Sequence, residues 1–105
     1  MRHPEPGIAT GEIVLPERAT IGEGASQYYR RHGQSLADPG LVDAAEAVFL
    51  RRGFRVHRGS QFTTSALLTQ PAELGTAWSE NGHLAGDMET SAVFSAAAAF
   101  GLRAV

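Results

Sequence analysis

Several residue types and patterns are absent from this chain of 105 residues, and each absence excludes a class of site. Cysteine is missing, which excludes disulfides and thiolate metal sites. Lysine is missing too, since all nine basic residues are arginine, and this excludes a lysine nucleophile or Schiff base. The four histidines lack metal-ligand spacing and are predicted to be surface or loop residues. No metal and no bound cofactor are therefore expected. The histidines are His3, His32, His57 and His83.

Long apolar runs and a strong charge imbalance are also lacking. No run is long and apolar enough to span a membrane, and residues 1–7 lack the apolar core of a signal peptide, so we expect a cytoplasmic protein. The formal net charge of −2 gives no indication of a nucleic-acid partner. A hydrophobic content of 43% with 19% charged residues is typical of a globular chain, and the length fits one small domain.

The amino-terminal part of the chain predicts a loose segment followed by short strands. Residues 1–10 are rich in proline and glycine and are predicted to be loose, with a single domain over residues 11–105. An apolar run at 13–15, bounded by Pro16, predicts a strand, and residues 18–21 predict a second one. The glycine-punctuated stretch that follows predicts a loop.

A helix is predicted to begin at Asp38 and Pro39. The Asp38 side chain can cap the first free amides, and proline suits the first helical position. Gly53 is expected to end this helix. Its predicted buried face, from helical spacing, consists of Leu41, Ala45, Val48 and Phe49.

The rest of the chain predicts alternating strands and helices. In order, these are a strand over 54–62, a helix over 71–82, a strand over 83–88, a helix over 90–100 and a strand that begins at 102. Strands that alternate with helices favour an α/β layered fold.

A Met-Glu pair stands where the strand over 83–88 gives way to the next helix. Glu89 there feels the positive end of the helix dipole, which favours its ionised form. An ionised carboxylate is purely an acceptor, so it can bind two neighbouring hydroxyls of a ribose and stabilise positive charge on the sugar. Met88 is apolar and adaptable enough to pack on the sugar face. The alternative interpretation of Glu89 is ordinary dipole complementation in a first helical turn.

Three segments together carry a family resemblance. They are Pro-Glu-Arg-Ala at 16–19 with Glu-Gly-Ala-Ser at 23–26, Thr-Thr-Ser-Ala at 63–66, and Gly-Asp-Met-Glu-Thr-Ser-Ala at 86–92. In this order they resemble the nucleoside phosphorylase superfamily, which includes uridine and purine nucleoside phosphorylases and nucleosidases. The resemblance extends from about residue 11 to residue 105. It implies a three-layer αβα fold with a central mixed β-sheet, of which this chain is an incomplete part.

The resemblance assigns the sugar site to the end of the strand over 83–88. In this family a Met-Glu pair binds the ribose, which implies that Met88 and Glu89 contact the sugar and that Glu89 is the catalytic group. Asp87 stands where the family often has glutamate, which implies a supporting place in the same site.

The resemblance also assigns part of the base pocket. Thr63 and Thr64 match the family's Thr-(Thr/Ser)-Asp segment, whereas Ser65 replaces the usual aspartate. Leucines at 67–68 stand where an aromatic residue often stacks on the base. Gln70 is a candidate reader of a pyrimidine edge, and the alternative for it is a surface glutamine.

The implied reaction is phosphorolysis of a nucleoside to free base and ribose 1-phosphate, with phosphate as co-substrate and a uridine-type substrate favoured. Family members form homo-oligomers, so the expected partners are nucleoside, phosphate and further copies of the chain. The alternatives are a hydrolytic nucleosidase of the same superfamily and a catalytically silent, truncated remnant. The family's phosphate loop comes earlier than Met1 and its purine-contacting segment comes after Val105, so this chain alone is expected to be an inactive fragment.

Overall fold

The computed structural model describes residues 8–66 and 71–105. The strands form a mixed sheet in the order β2-β1-β3-β4, in which β1 and β2 are antiparallel and the other two pairs are parallel. None of the helices in these two ranges could span a bilayer. The elements are β1 (Ile13–Gly22), a 3-10 helix (Ser26–Tyr29), β2 (Gln34–Leu36), α1 (Pro39–Arg51), β3 (Val56–Thr64), α2 (Pro71–Glu80), β4 (His83–Asp87) and α3 (Thr90–Ala99).

Helices cover both faces of β3. Successive side chains of a strand point to opposite faces, so alternate residues of β3 contact different helices. On one face Arg58 forms ion pairs with α1, and Phe62 stacks on Trp78 of α2 with ring centroids 5.7 Å apart. On the other face Gln61 and Thr63 form hydrogen bonds to α3. The fold is therefore the predicted three-layer αβα arrangement around a mixed sheet.

The prediction of two strands separated by Pro16 is wrong, because β1 runs unbroken through the proline. The register between β1 and β3 shifts between Pro16 and Arg18, so the proline lies at an irregularity of the ladder. The pairing of β2 covers only residues 18–20 of β1. A residue without an amide hydrogen is tolerated at such a place, where a ladder bond is not required of it.

The loop predicted between β1 and α1 also contains regular structure. It holds the 3-10 helix and β2, whose central Ser35 is buried. The strand is too short to give an alternating pattern in the sequence. Of the segment predicted to be loose, residues 1–7 lie outside the described residues, whereas Ile8 is buried and the Ala9 amide donates to Glu12.

Helix α1 begins as predicted, since the Leu41 amide donates to Asp38 Oδ2 at 2.9 Å. Its buried face differs from the predicted one. Val42 is 1% exposed, while Val48 is 42% exposed. The helix turns its 42, 45 and 49 positions towards the sheet, and this rotation also lets Asp43 reach Arg58. Among the described residues, one cluster of the buried core is formed by Leu15, Ala19, Ala37, Val42 and Phe94.

The strand predicted from residue 102 is not formed. Residues 102–105 are not part of a strand ladder, and the Ala104 carbonyl accepts a hydrogen bond from the Asp38 amide at 2.8 Å. Ala104 also packs against the core. These contacts attach the end of the chain to the start of α1, so the main chain pairs with a helix cap instead of a strand.

Two histidines are not surface or loop residues as predicted. His83 is 9% exposed, with Nδ1 2.8 Å from Ser60 Oγ, and its burial lowers its pKa. His57 lies on β3, and its Nε2 is 2.9 Å from Glu12 Oε1. Both stand within the sheet, where His83 is buried and His57 is partly exposed. His32 is exposed in the loop before β2, as predicted.

Candidate functional site

The predicted site residues meet at one edge of the sheet. Strands β1, β3 and β4 are parallel, so their carboxyl ends lie side by side. Ligands of open α/β sheets bind outside this edge. Gln70 lies outside the described residues. The predicted site residues found at this edge are Thr63, Thr64, Asp87, Met88 and Glu89.

Asp87 holds the first turn of α3. Its Oδ2 accepts from the Thr90 amide at 2.8 Å and from the Thr90 hydroxyl, while its Oδ1 accepts from Thr63 Oγ1 at 2.8 Å. Partial burial opposes ionisation, but the hydrogen bonds from Thr90, Thr63 and Gln61 outweigh it and hold the pKa of Asp87 below its usual value. Asp87 of β4 is therefore ionised and connects β3 to the start of α3 through its hydrogen bonds.

The two threonines of β3 use their hydroxyls inside the protein. Thr63 is fully buried, and its Oγ1 accepts from the Ser91 amide at 2.9 Å while it donates to Asp87. Thr64 is 6% exposed, and its Oγ1 accepts from the Ala66 amide at 3.1 Å. Thr64 therefore stabilises the turn directly after β3, and Thr63 stabilises the main chain beside Glu89.

Glu89 is the exposed carboxylate of the group. It occupies the N-cap position of α3, and its side chain makes no capping hydrogen bond. The first-turn amides of Thr90 and Ser91 donate instead to Asp87 and Thr63. Its Oε2 accepts from the amide of Met88 at 3.2 Å. Across residues 8–66 and 71–105, no arginine or histidine pairs with it. Met88, beside it, is 43% exposed. Glu89 therefore keeps acceptor capacity that a ligand can use.

An open cavity of about 370 Å³ lies beside Glu89. This volume falls within the range that small-molecule sites typically have. Its polar wall comes from Gln61, which is 8% exposed and donates from Nε2 to Thr90 Oγ1 at 3.0 Å. Its apolar wall comes from β1 and α3. The cavity runs from Glu89 along α3 to the first half of β1 and is lined by Val14, Leu15, Pro16, Gln61, Glu89, Thr90, Val93, Phe94 and Val105.

Gln61 and Thr90 belong to this site but were not predicted from the sequence. Two signals pointed to them. Strand alternation puts Gln61 on the same face as Thr63, two residues later, and Thr90 follows Asp87 at a spacing suited to helix capping. In the described part of the chain, no group of His, Asp and Glu side chains is arranged to hold a metal ion.

Glu23 reaches the same helix from the loop after β1. Its carboxylate accepts from the Ser26 amide at 2.7 Å and from the hydroxyls of Ser26 and Ser91. Ser95 donates to Ser26 Oγ at 2.7 Å, and all three serines are fully buried; we call Ser26, Ser91 and Ser95 the serine cluster. Partial burial opposes ionisation of Glu23, but the hydrogen bonds from the serines keep its pKa below the usual value.

The family of the chain follows from its sequence as a whole. A profile of the phosphorylase superfamily matches residues 4–105. The chain belongs to the phosphorylase superfamily. The family prediction made from the three segments is therefore confirmed. No curated protein matches this phosphorylase-superfamily chain by sequence.

The solved structure of uridine phosphorylase from Vibrio fischeri ES114 is similar to this superfamily chain, with a TM-score of 0.86 and 25% sequence identity. The similarity covers 98% of this chain and 44% of the other. The superfamily chain thus has the phosphorylase fold over nearly all of its residues, and it spans less than half the length of that relative.

Proposed function

We propose that this chain supplies the ribose-binding part of a nucleoside phosphorylase site. The proposal rests on one observation above all. Glu89 is an exposed carboxylate at the carboxyl edge of the sheet, without a cationic partner in the described part of the chain, and it lies beside a cavity large enough for a small molecule. Membership of the phosphorylase superfamily supports the choice of a nucleoside as ligand.

In the proposed reaction Glu89 accepts hydrogen bonds from two ribose hydroxyls and Met88 packs on the sugar. An oxygen of phosphate bonds to the anomeric carbon as the carbon–nitrogen bond breaks. The bonding electrons leave with the base, which then takes up a proton. Positive charge develops on the sugar in between, and a fixed negative carboxylate stabilises it. Ribose 1-phosphate and free base are the products.

The proposed catalytic group needs a fixed position, and the surrounding hydrogen bonds favour one. Asp87 holds the Thr90 amide on one side of Glu89, and Thr63 holds the Ser91 amide next to it. Groups held in place before the ligand arrives lose little entropy in the reaction. In this proposal Asp87 and Thr63 position Glu89, and Thr64 supports the base side together with Gln70.

A uridine-type substrate is the preferred choice. The Pro-Glu-Arg-Ala segment at 16–19 favours it, and the similar protein from Vibrio fischeri is a uridine phosphorylase. Phosphate is proposed as co-substrate. Self-association is proposed as well, because Tyr28, Leu36, Phe100 and Leu102 are each more than half exposed. Light scattering tests this last point, and a clean monomer at high concentration would contradict it.

The role of Glu89 is tested by calorimetric titration of uridine into wild-type protein and Glu89→Gln. The substitution keeps the size of the side chain and removes its charge. A hydrogen bond to a charged group contributes about 1.5–3 kcal/mol, so we expect affinity to fall by about 10- to 100-fold. Glu80→Gln is the matched control, because Glu80 is an exposed carboxylate at the opposite end of β4.

Unchanged affinity in Glu89→Gln would contradict the proposed role of this residue. Failure of the wild-type chain to bind any nucleoside would contradict the proposal for this chain and favour the silent remnant. If the protein releases base from a nucleoside, the dependence of this release on phosphate distinguishes a phosphorylase from a hydrolytic nucleosidase. A phosphorylase releases base only with phosphate present, whereas a hydrolytic nucleosidase also releases it in phosphate-free buffer.

A further inference from the structure

The carboxyl ends of the three parallel strands β1, β3 and β4 each place one side chain against the first turn of α3. Thr63 of β3 accepts from the Ser91 amide, and Asp87 of β4 accepts from the Thr90 amide. The third comes from the loop directly after β1, where Glu23 accepts from the Ser91 hydroxyl. The sequence separation between Glu23 and Ser91 is 68 residues, so only the folded sheet brings them together.

We propose that Glu23 is a positioning residue for Glu89 and acts on it through Ser91. Ser91 lies two residues after Glu89. Its hydroxyl donates to Glu23 in the loop after β1, and its amide donates to Thr63 of β3. The Glu89 carbonyl accepts from the Val93 amide at 3.0 Å, so the peptide of Glu89 moves with this first turn. A carboxylate that holds Ser91 in place therefore also fixes the direction in which the Glu89 side chain projects from the start of the helix.

The serine cluster makes Glu23 and α3 a single unit. Ser26 bonds to the carboxylate through both its amide and its hydroxyl, and the hydroxyl lies 3.3 Å from the Ser91 carbonyl. Ser95, one turn further along α3, donates to the same hydroxyl. A buried network of this kind is rigid when every member is satisfied, and it loosens as a whole when one acceptor is lost.

Glu23 does not line the cavity beside Glu89. We therefore expect a change at Glu23 to alter nucleoside binding through its hydrogen bonds to α3. The part of the proposal that concerns ligand binding rests on the proposed function of Glu89, whereas the mechanical coupling between Glu23 and the start of α3 does not.

The test is a double-mutant cycle with Glu23→Gln and Ser91→Ala. Two quantities are measured in each variant: amide hydrogen exchange of residues 90–93 by NMR, and uridine affinity by calorimetry. Each single change should speed exchange in the first turn of α3 by about tenfold, the equivalent of one hydrogen bond to a charged group. Exchange in the double variant should be little faster than in either single variant, because both changes remove the same Glu23–Ser91 interaction. Uridine affinity should fall in parallel.

The matched control is Glu12→Gln. Glu12 is also a hydrogen-bonded carboxylate, with the Ala9 amide and His57 as partners, but it precedes the opposite end of β1. It should lower the free energy of unfolding without changing exchange in residues 90–93. If it speeds exchange there as much as Glu23→Gln does, the effect is general destabilisation and the proposal is wrong.

The two proposals fail in distinguishable ways. Unchanged exchange in Glu23→Gln, or additive effects in the cycle, would overturn the coupling itself. Faster exchange with unaltered uridine affinity would overturn the positioning role and leave the proposed function of Glu89 intact. If wild-type protein does not bind uridine, the proposed function fails, and the exchange cycle alone then decides whether Glu23 fixes the main chain at Glu89.

Discussion

The packing of α2 on the sheet depends on the absence of one side chain. Gly86 of β4 lies directly under the indole of Trp78, and a Cβ at this position would overlap the ring. Phe62 of the neighbouring strand stacks on the same indole with an interplanar angle of 22°. The glycine therefore lets the helix approach the sheet closely, and the aromatic pair fills the space beside it.

We expect Gly86→Ala to lower the free energy of unfolding by about 1–3 kcal/mol, because the ring or the strand must shift to admit the methyl group. Urea unfolding followed by circular dichroism measures this, and the fluorescence of the single tryptophan reports the local change. Gly24→Ala is the control, since a Cβ there meets no atom within 4 Å. Equal stability of the two variants would show that α2 adapts without cost.

At the scale of elements, α1 and α3 differ in the residues that stabilise their first turns. Helix α1 starts at a local signal, the Asp38 cap followed by Pro39, and both act within a few residues of each other. Helix α3 starts on Asp87, which lies in β4, and on Thr63 from a different strand. The contacts of Asp38 and Asp87 are both local and visible in the sequence, whereas the contact of Thr63 with the Ser91 amide needs the sheet to be formed.

For α1, Asp38→Ala should lower the free energy of unfolding by about 1 kcal/mol, because the Leu41 amide loses its acceptor. Asp38→Asn should cost much less, since asparagine is an equally good cap. Chemical denaturation of the two variants and the wild type measures both changes. A loss of the same size in Asp38→Asn would mean that the charge matters more than the cap.

At the scale of the whole molecule, three carboxylates tie distant segments together. Hydrogen bonds from the Ala9 amide and His57 lower the pKa of Glu12, and those described above lower the pKa of Glu23 and Asp87. A carboxyl group with a lowered folded-state pKa stabilises the fold above its unfolded-state pKa. That contribution is lost as pH falls through the folded-state value.

We therefore expect the free energy of unfolding to decline below about pH 4.5, where unfolded carboxylates take up protons. Burial lowers the pKa of His83, so the unfolded chain protonates this imidazole more readily than the folded chain does. The free energy of unfolding should therefore already begin to fall below about pH 6.5. Thermal melts between pH 3 and pH 8 measure both. Asp87→Asn should reduce only the loss of stability below about pH 4.5. A stability profile identical to that of the wild type would contradict the role given to Asp87.

The sequence by itself determined the family, the alternation of strands and helices, the start of α1 and the place of the Met-Glu pair at a strand end. The elements and the place of the pair depend on residues close together in the chain, where hydrogen bonding and spacing are local, and the family was indicated by three short segments in a fixed order. The carboxyl-edge position of the Met-Glu pair follows from the parallel topology that such alternation favours.

Only the tertiary structure decided which groups surround that pair. The passage of β1 through Pro16 depends on its pairing with β3, and the burial of His83 depends on the elements packed around β4. The contact of Glu23 with Ser91 joins residues 68 apart in the chain. Such contacts arise from strand order and helix packing, which no short stretch of sequence contains, because their partners become neighbours only when the sheet forms.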